Sequence, residues 1–353
     1  MDSQSKLAGN RCCFGKSQSS TRPSPKCREP GGPASFPTGL TASKNAGTEA
    51  DSLNFSNFIV QKKLKMDNRI FFALIFLFLG LNRFQTFAQA NLKECIYQAE
   101  DKRIAEDKLK AFSGKFNLSM PELLIEIGSS FQGTPYVAAT LENGPEEKLV
   151  INLRELDCTT FVENCLALAR TVKNKKTDFE SFATELERLR YRNGQRKGYP
   201  SRLHYFSEWI HNNADKKIIS EEPDLQGVKL EKTINFMSTH PQDYPVLKDH
   251  PELIPEIALQ EKKLSTVPFY YFPKENPANL LKALHSGDII GLTSSLDGVD
   301  INHVGIIVWK NNQFHLLHAP LSGKKVMISE GPIMDFLAPK SKNSGIVIAR
   351  PVF

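Results

Sequence analysis

Residues 156–165 read Leu-Asp-Cys-Thr-Thr-Phe-Val-Glu-Asn-Cys, and residues 301–307 read Ile-Asn-His-Val-Gly-Ile-Ile. A thiol entering an apolar-striped helix and an imidazole opening a later β-rich run are the pair that cysteine-based hydrolysis requires. The attacking species is the thiolate. A helix N-terminus and an imidazole partner both lower a thiol's pKa. Cys158 and His303 are therefore the candidate nucleophile and base.

Position separates Cys158 from its neighbour Cys165. Phe161, Val162, Cys165, Leu166, Ala169 and Val172 recur at the 3–4 spacing of one buried helix face, so Cys165 reads as core. Cys158 lies before that stripe, flanked by Asp157, Thr159 and Thr160. Asp157 is a good N-cap type, which places Cys158 in the first turn, where unbonded N–H groups and the positive dipole end favour an anion. His318 closes the run Phe314 to Leu317. If this run and Val304 to Val308 form a hairpin around Lys310-Asn311-Asn312-Gln313, His303 and His318 become neighbours and one ring can orient the other. His315, three residues earlier, points to the opposite face.

Elements able to hold these groups follow from periodicity. Ala99 to Phe112 and Met120 to Ile127 read as helices, the second capped by Ser119. Gly133-Thr134-Pro135-Tyr136-Val137 is a turn into an extended run, and Lys148 to Leu153 a short strand. Residues 178–267 read as a long, mostly helical insertion: Phe179 to Tyr191 is amphipathic, Leu203 to His211 aromatic-rich, and His250 to Ile257, with two prolines, a loop. The last block is β in kind. Gly287 to Leu292, Val304 to Trp309, Phe314 to His318, Lys325 to Ser329 and Gly345 to Arg350 are short apolar runs between turn residues. Helices first and a meander of strands last predict an α+β fold, with the nucleophile helix packed on an antiparallel sheet.

The amino-terminal part is different. Residues 66–90 have the form of a signal peptide: a polar Asp67-Asn68-Arg69, an apolar run Ile70 to Leu81 too short to span a bilayer, and a small-x-small Ala88-Gln89-Ala90. The mature chain is expected to run over 91–353. Residues 1–65, rich in Ser, Pro, Gly and Lys, read either as an over-extended gene model or as a disordered basic arm. They hold 10 Lys/Arg against 4 Asp/Glu, whereas 91–353 hold 33 against 34. The basic balance of the whole chain is therefore no argument for nucleic acid, and no basic stripe is present to track a phosphate backbone. Only Cys95, Cys158 and Cys165 remain after residue 90, without C-x-x-C spacing, so neither a disulfide scaffold nor a metal site is expected. No lipid-attachment pattern precedes Cys95, so no stable membrane anchor is expected after signal cleavage.

Asp157-Cys158-Thr159-Thr160-Phe161-Val162 resembles the nucleophile motif of the NlpC/P60 cell-wall hydrolases. His303-Val304-Gly305-Ile306 resembles their catalytic-histidine strand and Leu317-His318-Ala319 the strand of their third residue. Gly133 to Tyr136 resembles the segment whose tyrosine lies by the thiol, and Gly287-Asp288-Ile289 the family's Gly-Asp strand. Leu156 to Glu163, Ser201-Arg202-Leu203-His204-Tyr205 with Trp209, and the block from Gly287 to Gly305 are similar to the N-acetylmuramoyl-L-alanine amidase-like branch.

The resemblance implies a papain-like NlpC/P60 fold and an exported enzyme that cuts an amide of peptidoglycan without metal or organic cofactor. Cys158 would attack, His303 take its proton and His318 hold the imidazole, with the Cys158 N–H and the Tyr136 hydroxyl at the oxyanion. Asp157 would either meet a substrate amine or cap the helix. Ser201, Arg202, His204 and Tyr205 would either begin a solvated helix or bind the anionic sugar–peptide, with Arg202 as carboxylate clamp. The preferred bond joins N-acetylmuramic acid to L-alanine. The alternatives are a peptidase acting between D-glutamate and the diamino acid, an acyltransferase on the same scaffold, and a wall-binding module without activity.

Overall fold

The computed structural model describes residues 90–142, 146–221, 227–338 and 342–353. The expected amino-terminal arm and signal segment lie outside the described residues, apart from Ala90. The helices are α1 (Ala99–Phe112), α2 (Met120–Ser129), α3 (Cys158–Lys173), α4 (Phe179–Arg190), α5 (Phe206–Asp215), α6 (Phe236–Thr239), α7 (Pro245–Asp249), α8 (Ile254–Leu264) and α9 (Pro277–Ala283). The strands are β1 (Cys95–Ile96), β2 (Leu149–Val150), β3 (Ile219–Glu221), β4 (Val228–Lys229), β5 (Tyr270–Pro273), β6 (Ile289–Ser294), β7 (Ile301–Lys310), β8 (Gln313–His318), β9 (Met327–Ile328) and β10 (Asn343–Pro351). Among the described residues no helix is long and apolar enough to cross a membrane.

Strands β1 and β2 form a small parallel pair. The other eight make one antiparallel sheet in the order β4-β5-β10-β6-β7-β8-β9, with β3 also on β10. Both faces of its centre are covered, so the strands read as apolar runs rather than alternating ones. Ile289, Val304, Ile306 and Leu317 join the main core on the side of the large helices. Ile290, Leu292, Ile307 and Leu316 join a second core closed by Leu280 of α9 and by Ile333 and Leu337 of a 3-10 turn.

Helix α3 is the pivot of the main core. The sequence predicts one buried face; the structure buries α3 nearly all round, between α1, α2, α4 and β7. Its polar residues survive burial because they are paired within the chain. Arg190 of α4 donates to Glu163 at 2.7 Å and to the Val150 carbonyl, and Arg170 donates to Glu185 at 2.8 Å. An unpaired charge at any of these positions would be costly.

Two expectations for the middle section need correction. Its first part is no peripheral insertion: Phe182 and Leu186 of α4 and Trp209 of α5 are fully buried in the main core, and β3 and β4 enlarge the main sheet. Only the stretch around α6 to α8 forms a separate apolar cluster, with Tyr199, Tyr205 and Val299. The expected loop from His250 to Ile257 is a 3-10 turn running into α8. Its prolines stand in the first turns of these elements, where a missing N–H breaks no bond.

The Gly-Asp pair before β6 has a steric origin. Gly287 has φ +91°, and a Cβ there would lie 2.3 Å from the Cβ of Pro121 on α2. Asp288, completely buried, accepts from both Nε and Nη2 of Arg350 on β10 and from the His285 N–H at 2.7 Å. It is a strand-to-strand fastening.

Candidate active site

The entry to α3 is fixed from two sides. Tyr136 bridges Leu156 in parallel, with Leu156 N–H donating to the Pro135 carbonyl and Val137 N–H to the Leu156 carbonyl. On its other side the same segment pairs with residues 324–326, through Tyr136 N–H to the Lys324 carbonyl at 2.8 Å. Tyr136 is thereby held one step from the nucleophile's chain.

Asp157 is the N-cap of α3. Its Oδ1 accepts from the Thr160 N–H and hydroxyl, both at 2.8 Å, while its own N–H donates to Thr160 Oγ1 at 2.9 Å. This reciprocal box sets Cys158 as the first helical residue, 1% exposed. A thiolate there sits at the positive end of a 16-residue helix. Cys165 lies about two turns on, wholly buried, and burial pushes its thiol far above the ordinary range. The Cys95 thiol is likewise pushed up to about 11, first by burial and then by the Glu187 charge. Neither is poised to react.

The expected hairpin joins β7 and β8 in register from Ile306↔Leu317 to Lys310↔Gln313. Its turn residues Asn311 and Asn312 have φ 49° and 60°, the paired left-handed conformation that matches strand twist. That register brings His303 Nε2 to 2.6 Å from His318 Nδ1, the rings nearly perpendicular at 71°. Gly305 makes room for the pair. A Cβ on it would lie 3.0 Å from the Cβ of His318 and 2.7 Å from Leu316 Cδ1. The glycine two residues past His303 is therefore part of the site, a requirement that emerges only once the strands are paired.

Burial holds the His303 imidazole down to about 4, opposed by the Asp157 carboxylate, whose charge favours the protonated ring. His318 is lower still, first through burial and then through the neighbouring His303. Both rings are neutral in the folded chain at pH 7, so His303 is unprotonated and able to accept a proton. Asp157 thus does two things at once: it caps the helix and sets a negative charge by the His303 ring.

The same shifts carry a stability signature. The unfolded chain binds protons on both histidines near pH 6.5, the folded chain only well below it. Stability is therefore fully present above about pH 6.5 and is lost as pH falls toward 4, by up to about 1.4 kcal/mol per pH unit for each ring. Urea unfolding at about pH 7 and pH 4.5 should show a smaller acid loss for the His303→Gln/His318→Gln double variant than for wild type. Equal losses would mean that the pair is not buried neutral.

An open cavity of about 520 Å³ ends at the two histidines. Asn302, Leu321, Met327, Glu330, Asp335 and Phe336 are among its walls, while the sealed Cys158 is not. Of these residues sequence reasoning singled out none. Asn302 had the signal of adjoining His303; the others come from loops and a 3-10 turn whose approach to the site no periodicity announces.

The segment expected to read the substrate is occupied internally. Arg202, 5% exposed, pairs with Glu142, lies 3.8 Å from Glu147 and donates to the Leu141 carbonyl. Ser201 Oγ donates to the Gly198 carbonyl, and His204 Nε2 lies 2.9 Å from the Tyr199 carbonyl. The Tyr205 hydroxyl donates to Glu261 at 2.6 Å and accepts from the Met237 N–H. A guanidinium with two carboxylates of its own chain has little left for a carboxylate of substrate, and the segment instead ties the turn before β2 to the α6–α8 cluster. The segment is also no solvated helix start, since Ser201, Arg202 and Tyr205 are buried. Among the described residues no group of three or more His, Cys, Asp or Glu is gathered to hold a metal ion.

Comparison with known proteins places this geometry in context. A family model described as AmiA-like, N-acetylmuramoyl-L-alanine amidase-like, matches residues 126–346. The crystal structure of an N-acetylmuramoyl-L-alanine amidase from Bacteroides uniformis is similar, with TM-score 0.62 and 36% identity, covering 66% of this chain and 99% of that one. A protein from Bacteroides fragilis, named as a candidate xylanase, is similar at TM-score 0.59 and 37% identity over 64% of this chain and 99% of its own. A Legionella pneumophila protein shares the fold at TM-score 0.53 and 22% identity, over 73% of this chain and 97% of its own. Comparison with curated protein sequences finds no match.

Proposed function

Because the chain belongs to the N-acetylmuramoyl-L-alanine amidase-like family, we propose that it hydrolyses the amide between N-acetylmuramic acid and L-alanine in peptidoglycan fragments, by a cysteine mechanism. The observation that carries the mechanism is the 2.6 Å contact between His303 and His318, next to a helix whose first residue is a cysteine. We read the arrangement, a nucleophile on a helix and a base on an antiparallel sheet, as the papain-like plan of the NlpC/P60 hydrolases.

In this reading the 2.6 Å contact is a hydrogen bond from His303 Nε2–H to His318 Nδ1, the tautomer that leaves Nδ1 of His303 as the basic nitrogen. It takes the Cys158 proton, giving a thiolate and an imidazolium that Asp157 favours electrostatically. The sulfur bonds to the lactyl carbonyl carbon, and the oxyanion meets the Cys158 N–H and the Tyr136 hydroxyl. The C–N bond then breaks as the imidazolium returns its proton to the leaving L-alanyl nitrogen. Water, deprotonated by the same imidazole, cleaves the thioester and restores the thiol. Residues 66–90 are proposed as the signal that carries the enzyme out of the cytoplasm.

Mass spectrometry of defined muropeptides after digestion tests the reading. The expected products are free N-acetylmuramic acid and a stem peptide beginning with L-alanine. Cleavage at D-glutamate would establish the endopeptidase instead. Adducts formed only with added amine would establish acyl transfer, and release of shortened glycans would establish a glycosidase.

A further inference from the structure

The cavity beyond the histidine pair is a built surface with a chemistry of its own. Phe336 stands edge-on to His318, their ring centroids 5.5 Å apart, and forms one wall. Asn302 donates through Nδ2 to Asn343, and Asn343 donates to the Phe336 carbonyl, so wall and histidine strand are tied together. The Asn302 carbonyl oxygen makes no hydrogen bond among the described residues. Glu330 and Asp335 are exposed, and neither carboxylate has an ion-pair or hydrogen-bond partner among the described residues. Their turn is nevertheless pinned: Ser329 Oγ donates to the Gly331 carbonyl at 2.6 Å and accepts from the Leu316 N–H of β8. Gly331 lets the Asp335 carboxylate lie close against the turn, since a Cβ there would fall 1.8 Å from its Oδ2. Among the described residues that line the cavity there is no lysine or arginine.

A wall of acceptors, an aromatic ring and apolar edges, with negative charge and no cation among the described residues, suits a neutral ligand rich in hydroxyl donors. It repels a carboxylate. The two halves of the substrate differ in this respect: the sugar ring is neutral and polyhydroxylated, and the stem peptide carries carboxylates. Resting on the amidase reading above, we propose that this cavity receives the N-acetylated sugar, its ring hydroxyls donating to Glu330, Asp335 and the Asn302 carbonyl and its apolar face lying by Phe336. The stem peptide then leaves on the side away from these carboxylates. Glycan recognition is thereby assigned to this cavity, and Arg202 is released from it.

The test compares kcat/KM for N-acetylmuramoyl-L-alanyl-D-isoglutamine and for D-lactoyl-L-alanyl-D-isoglutamine, which keeps the scissile amide and lacks the sugar. Wild type, Glu330→Ala and Asp335→Ala are measured, with melting curves to establish folding. Wild type should prefer the sugar-linked substrate. Each variant should lower that preference by about tenfold, the effect of one lost hydrogen bond to a charged group. Wild-type cleavage with the same preference in both variants would overturn this assignment alone. A wild type that cuts neither substrate would remove the amidase reading, and this proposal with it.

Discussion

Cys158→Ala is expected to abolish turnover, lowering kcat by about four orders of magnitude or more, because no covalent intermediate can form without the sulfur. The variant should fold. The substitution removes one sulfur from the first turn and leaves the Asp157–Thr160 box and the apolar stripe in place. Cys165→Ala is the control with the opposite profile: kcat retained, and stability reduced by about 1 kcal/mol through a small core truncation. Iodoacetamide separates the two thiols in the native protein. Cys158 is nearly as buried as Cys165 and differs by its place at the helix N-terminus, so thiolate character should make it alkylate first. Cys165, its thiol raised by complete burial, should react only on unfolding. Faster labelling of Cys165 would reverse the assignment.

His303→Ala should lose nearly as much as the cysteine variant, on the order of 10³-fold or more in kcat, since the thiol then has no base. His318→Ala should lose less, about 10- to 100-fold. His318 is proposed to act on the thiol only through the His303 imidazole, by fixing one tautomer and stabilising the imidazolium. His318→Gln and His318→Asn keep an acceptor for the His303 Nε2–H and should recover part of the rate. A lysine there offers only donors and should not. Activity of His303→Ala equal to wild type would sink the pair, and an alanine at 318 worse than one at 303 would exchange their roles.

How much of this was legible follows from the range of each signal. The cap at Asp157, the stripe of α3 and the Asn-Asn hairpin are local, and the register of that hairpin alone brought the two histidines together. The Arg202 segment misled because its ion-pair partner, Glu142, lies 60 residues away in the chain, with no pattern to connect them. A cation in an aromatic setting reads the same whether its carboxylate comes from a ligand or from its own protein. The integration of α4 and α5 into the core was visible as amphipathicity, but not what they would pack against. The cavity walls were the least legible part, being assembled from turns whose only common property is where the sheet ends.

The position of β10 has a consequence for when the protein can act. Last of the strands in chain order, it lies between β5 and β6 at the middle of the sheet, and its Arg350 closes on the buried Asp288. Until residues 343–351 have been made, β6 to β9 lack the neighbour that joins them to the rest of the sheet, and the buried carboxylate of Asp288 lacks its cation. Cys158 is synthesised early and His303 late, and the sheet that sets His303 against His318 is finished last of all. A chain cut before residue 343 should therefore lack an ordered histidine pair, whatever part of α3 it has already made.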